Sequence, residues 1–169
     1  MGLFSGLFKT SDSSRFEDIY NYDIPALLKQ STFKGSREEE GMTYFAHECI
    51  LNPVFLNAFN TLRMEVRYEG TEIQPDNYIE LRFLSRGKAL SKQQIEHVVD
   101  AVLQGCNDNT PFTKNSVPAF KAGVVDYLSI DLNDDIFVSI KNDPIDGVYV
   151  NLHILYSDLV QLAQEQKSK

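Results

Sequence analysis

Tryptophan is absent from the 169 residues, cysteine occurs only twice, and the six prolines and nine glycines are scattered. Two cysteines, Cys49 and Cys106, cannot make a disulfide framework, and both stand in stretches where a thiol packs as a small apolar group. The glycines form no Gly-x-Gly-x-x-Gly or Walker-type run, so the common phosphate-cradling loops are missing. No stretch approaches the roughly 18 apolar residues that a membrane helix requires. The opening MGLFSGLFK lacks the charged start and apolar run of a signal peptide, and Gly6 stands where a myristoylation signal wants Ser or Thr. A cytoplasmic location is the expectation.

Positive charge is also scarce. Sixteen Lys and Arg stand against 24 Asp and Glu, a net charge of −8. Nucleic acid and anionic membranes attract proteins through Lys and Arg, so this balance argues against both as partners. The imbalance is uneven along the chain. Ser36 to Glu80 holds nine acids and three bases, and Asp126 to Asp158 seven acids and one base. Leu81 to Val125, between them, holds six bases and three acids. Such blocks suit a surface with a basic complement.

What is present suits a globular domain: 43% of residues are apolar and 24% charged, near the usual averages. The expected organisation is an N-terminal segment and flexible linker over 1–15, then one domain over 16–169. Leu3, Phe4, Leu7 and Phe8 form a short apolar stripe in the first part, suited to packing on the domain or on a partner.

The first predicted element is a helix over 23–30, with Asp23 as its cap and Pro25 in its first turn, where a missing N–H does no harm. Gly35 to Gly41 reads as a charged loop and Met42 to Leu51 as a strand, followed by one or two helical turns between Pro53 and Phe59. Over Thr61 to Glu69, Leu62, Met64, Val66 and Tyr68 alternate with Arg63, Glu65, Arg67 and Glu69. Asn77 to Leu84 repeats the alternation. Half-buried strands of this kind belong to antiparallel sheets. Ser91 to Gln104 is a predicted helix with a Ser91/Gln94 capping box and Gly105 as its left-handed C-terminal residue. Cys106 to Val117 reads as a polar loop. Three strands follow, over Val124–Leu132, Asp135–Lys141 and Val148–Leu155, joined by turns at Asn133-Asp134 and 142–147. A last helix is capped by Ser157 or Asp158, and its end, Gln164 to Lys169, should fray. The order predicts an α+β fold, mainly an antiparallel sheet with helices packed on one face.

Catalytic patterns are thin. There is no Gly-x-Ser-x-Gly elbow, and His47 and Cys49 share a strand face without a third partner. His97 is expected to be partly buried beside the apolar stripe of its helix. Neither Cys-x-x-Cys nor His-Glu-x-x-His occurs, and the calcium-like run from Asp131 has Ile136 where Gly is needed. No cofactor or metal is expected. Tyr20, Tyr22 and Tyr149 read as aromatics available to an interface. The reading that follows is a non-catalytic protein with an acidic surface for a basic protein partner, of the immunity or antitoxin type. Its partner-binding residues would be Asp126, Asp131, Asp134, Asp135, Asp143, Asp146 and Tyr149. The competing reading is a small hydrolase or metal-assisted nuclease with dispersed site residues.

Overall fold

The computed structural model describes residues 15–70, 72–106, 111–133 and 136–169. The predicted N-terminal stripe therefore lies outside the described residues. Seven strands form one antiparallel sheet: β1 (Thr32–Glu39), β2 (Met42–Phe55), β3 (Phe59–Val66), β4 (Tyr78–Leu84), β5 (Tyr127–Asn133), β6 (Ile136–Asp143) and β7 (Gly147–Leu155). Their order across the sheet is β1-β2-β3-β4-β7-β6-β5. Two meanders thus meet where β4 pairs with β7. The predicted α+β class holds.

One sheet face is apolar. It carries Leu62, Met64 and Val66 from β3, Ile79, Leu81 and Phe83 from β4, and Val150, Leu152 and Ile154 from β7, all almost fully buried. Against them pack a 3₁₀ helix (Phe16–Asn21) and the helices α1 (Ile24–Gln30), α2 (Lys92–Cys106), α3 (Pro111–Lys121) and α4 (Tyr156–Lys167). Phe16, Ile19, Val98, Val99, Val102, Phe120 and Leu159 supply the helical side of this core.

The predicted helix starts hold in part. The Asp23 carboxylate accepts the Ala26 N–H at 3.0 Å. Ser91 and Gln94 exchange bonds at 3.0 and 3.2 Å, the reciprocal box that the sequence predicts. At α4 neither Ser157 nor Asp158 is the cap. The N–H groups of Tyr156 and Ser157 instead donate to the carbonyls of Asn77 and Pro75, so the loop before β4 satisfies the helix start. The C-terminal end remains helical to Lys167, with the Ser168 hydroxyl donating to the Gln164 carbonyl at 3.0 Å.

Several predicted loops are regular structure. The charged loop 35–41 is the greater part of β1 and a tight turn, in which Glu40 and Gly41 have φ of 52° and 77°. Positive φ at both turn residues matches the right-handed twist of the flanking strands. The helical turns expected after Pro53 do not form, because β2 continues to Phe55 with irregular pairing after Ile50. The polar loop 106–117 is largely α3, which starts at Pro111 and accommodates Pro118. Val124, placed by its pattern on a strand face, is 76% exposed ahead of β5. Gly105 does not end α2 in a left-handed conformation; it lies inside the helix, where a Cβ would stand 2.7 Å from the Phe16 Cβ.

Candidate functional site

The acidic residues singled out in the second meander do not form one field. Asp126 precedes β5, Asp143 ends β6 and Asp146 lies in the turn to β7, all at one end of the sheet. Asp131 sits opposite Phe137, towards the other end of the same strands. Asp134 and Asp135 lie outside the described residues.

Three of the remaining side chains have internal partners. The Asp143 carboxylate accepts the N–H groups of Ile145 at 2.8 Å and Asp146 at 3.1 Å. These bonds hold its carboxyl below the usual carboxylate range. Asp146 takes the Arg86 guanidinium at 2.6 Å. Tyr149 is not an exposed anchor: it is 6% exposed, with the Arg82 guanidinium 4.8 Å above its ring. Tyr20 is likewise buried, in the 3₁₀ helix against the core. Burial pushes its hydroxyl up to about 12.

The second sheet face is where the structure departs most from the sequence reading. Alternation marks it as the wet side, yet it is crowded and ordered in transverse rows. One row runs through Thr32, Glu48, Arg63, Arg82, Asn151, Ser139 and Ser129, one polar residue from each strand in sheet order. The adjacent row places Glu65 opposite Glu80, and Glu80 opposite His153. Like charges directly across a strand pair repel. Here Arg63 and Arg82 face each other in one row and Glu65 and Glu80 in the next, so each of these arginines reaches a carboxylate of the neighbouring row.

Arg82 meets Glu80 at 2.8 Å, Arg37 meets Glu65 at 2.7 Å, and Arg63 lies 3.5 Å from both Glu48 and Glu65. Arg86 crosses from Glu48 at 2.7 Å to Asp146, tying β2 to the turn between β6 and β7. Burial opposes the charge on Arg82, but the Glu80 carboxylate outweighs it and the guanidinium's pKa is raised. Three buried atoms of the polar row, Arg63 Nε, Arg82 Nε and Asn151 Oδ1, lack a hydrogen-bond partner among the described residues. Such atoms take up water or a partner's polar groups.

The histidines and Cys49 have structural surroundings. His47 lies on the helix-side face of β2, with Nδ1 3.1 Å from the Ser31 hydroxyl and Nε2 3.5 Å from that of Tyr68. Burial lowers its pKa and raises that of the Cys49 thiol two residues on. A raised thiol pKa holds the group protonated, the opposite of what nucleophilic attack needs. His153 stacks on Tyr78 with centroids 4.6 Å apart. His97, expected to be partly buried, is exposed on α2. Among the described residues, no three His, Cys, Asp or Glu side chains come together as a possible metal site.

The largest of the described hollows is a broad groove of about 890 Å³ at the β1 side of the sheet, lined by Lys34, Glu48, Ile50, Arg63 and Arg86 among others. Exposed carboxylates gather elsewhere. The turns β1–β2 and β3–β4 lie at one end of the sheet and expose Glu38, Glu40, Glu69, Glu72 and Asp76. The arginines there are engaged, Arg37 with Glu39 and Glu65, and Arg67 with Glu69 at 4.0 Å. Lys29 of α1 borders the adjoining hollow beside Glu72. In the sequence this cluster falls within the acidic block from Ser36 to Glu80, not within the Asp-rich second meander.

A comparison with family models, curated proteins and solved structures finds no match in any of the three.

Proposed function

We propose that the chain is a non-catalytic binding protein that docks a basic macromolecular partner through the acidic end of its sheet. The observation that carries this reading is the exposure of Glu40, Glu72 and Asp76 in two neighbouring turns, with no ion pair on any of them among the described residues. This relocates the contact from the Asp126–Asp146 stretch, where Asp143 and Asp146 are bound internally. A surface of this kind speeds encounter with a cationic partner and rejects an anionic one. Occlusion of a basic enzyme, as an immunity protein or antitoxin achieves it, is the form of action that fits best.

The test is capture of basic proteins from the native host by the immobilised chain, against a variant carrying Glu40→Lys, Glu72→Lys and Asp76→Lys. The expected result is a basic partner released by raised salt and held at least ~10-fold more weakly by the variant, because like-charge contacts cost several kcal/mol. Equal retention by both chains, or an acidic partner, overturns the reading.

A further inference from the structure

The broad groove beside β1 arises because the first two strands differ in reach. Strand β1 begins at Thr32, opposite Glu48, whereas β2 runs on to Phe55. Beyond Glu48 that flank of β2 has no strand beside it, and Leu27 of α1 lines the hollow that results. On the β1 side the chain carries one extra residue. Phe33 pairs with His47 and Gly35 with Ala46, so Lys34 has no partner across the strands. A bulge of this kind re-aims a side chain, and Lys34 lines the groove.

This groove is cationic in an acidic molecule. Lys34, Arg63 and Arg86 line it against a single carboxylate, Glu48, in a chain of net charge −8. Each of the other described hollows carries one cation and one carboxylate: Lys88 and Asp146, Lys29 and Glu72, Lys167 and Asp23. Lys34 has no ion-pair partner among the described residues. Arg63 and Arg86 converge on one oxygen, Glu48 Oε1, at 3.5 and 2.7 Å. The other carboxylate contact of Arg63, to Glu65, is also 3.5 Å. Both are longer than an ordinary N–H···O bond. Ile50, on the same sheet face as Glu48, lines the groove and is 83% exposed.

We infer that the groove binds an organic anion, a carboxylate or phosphate monoester head on an apolar body, with Lys34, Arg63 and Arg86 at the head and Ile50 and Leu27 against the body. Two guanidiniums and an ammonium offer more donors than Glu48 can use, and an oxyanion supplies the missing acceptors. A volume of about 890 Å³ is within the range of small-molecule sites. Glu48 then acts in two ways. It holds the two arginines side by side, and it competes with the ligand for their donors. Arg86 keeps its other arm on Asp146, which fixes it across the groove. The groove shares no residue with the acidic turns, so this inference stands apart from the docking proposed above.

Titration with hexyl phosphate and with hexanoate, followed by amide chemical shifts, tests the inference. The expected result is saturable shifts around residues 32–34, 48–50 and 61–63 with at least one of the two, and none with hexylammonium. The tighter of the two identifies the head. Inorganic phosphate and acetate, which lack the chain, should bind ~10-fold or more weakly than their longer counterparts, the effect of burying about two methylenes. Lys34→Glu should weaken binding ~10-fold or more, a repelling charge replacing an attracting one. Glu48→Gln should strengthen it, because the arginines lose their internal carboxylate. Lys34 is exposed, so Lys34→Glu keeps the test open should Glu48→Gln fail to fold. No saturable binding of either probe up to about 10 mM, weaker than any specific site needs, overturns the inference. So does equal binding of hexylammonium or of the short anions, and so does an affinity that Lys34→Glu leaves unchanged or Glu48→Gln lowers.

Discussion

At the scale of single residues, the most informative group is His47. Its imidazole is held between the Ser31 and Tyr68 hydroxyls beside the Phe33 ring, and burial lowers its pKa. In the unfolded chain a histidine takes its proton near pH 6.5. Above that pH both states are neutral at this position and it adds no pH dependence. As pH falls below it, the unfolded chain binds the proton more readily than the native one, and stability is lost. Urea unfolding between pH 8 and 5 should show a decline below about pH 6.5 that is reduced in His47→Gln. An identical decline in the variant would assign the effect to other groups. The pairing of His47 with Ser31 was not legible beforehand, since the sequence places the two 16 residues apart, on different elements.

At the scale of elements, packing overruled local signals in identifiable places. Gly105 carries the composition of a helix end, yet it lies within α2, where the missing Cβ leaves room for the Phe16 side chain. Gly105→Ala raises helix propensity but forces a Cβ to 2.7 Å from Phe16. The contact wins: overpacking should cost ~1–3 kcal/mol, read as a lower urea midpoint with far-UV dichroism unchanged. A stabilised variant would mean that Phe16 yields freely. The same logic explains what the sequence showed and what it hid. Strands β3, β4, β6 and β7 bury one face and alternate openly, so they are readable from their side chains. Strand β1 buries almost nothing and has no alternation to read; only its hydrogen bonds to β2 make it a strand. Helix α3 is disguised by Pro111 and Pro118, residues that usually mark loops. The arginine and glutamate side chains of β3 and β4 were legible as one sheet face. Their arrangement into rows was not, because it depends on the register between strands that are distant in the chain.

At the scale of the whole molecule, the two meanders share one core but touch along a single seam, β4 against β7, extended by the 3₁₀ helix, which packs on both α2 and α4. The core residues on either side of it, Ile79, Leu81 and Phe83 with Val150, Leu152 and Ile154, are almost fully buried. A chain ending at residue 146 keeps β1 to β6 but lacks β7, so β4 and β6 each lose a neighbour. Two bare apolar edges then face water, and such edges associate. That fragment should appear in high-molecular-weight species by sedimentation and bind a hydrophobic dye, where the full chain does neither. A monodisperse fragment with native-like dichroism would show that the first meander is self-sufficient.

The seam also sets a timetable. Because β7 follows the other six strands in the chain, a ribosome delivers it after them, and the nascent sheet stands as two unfinished halves until β7 has emerged. Closure of the sheet therefore waits for one strand to thread between two margins, and those margins need protection from premature sticking until it arrives.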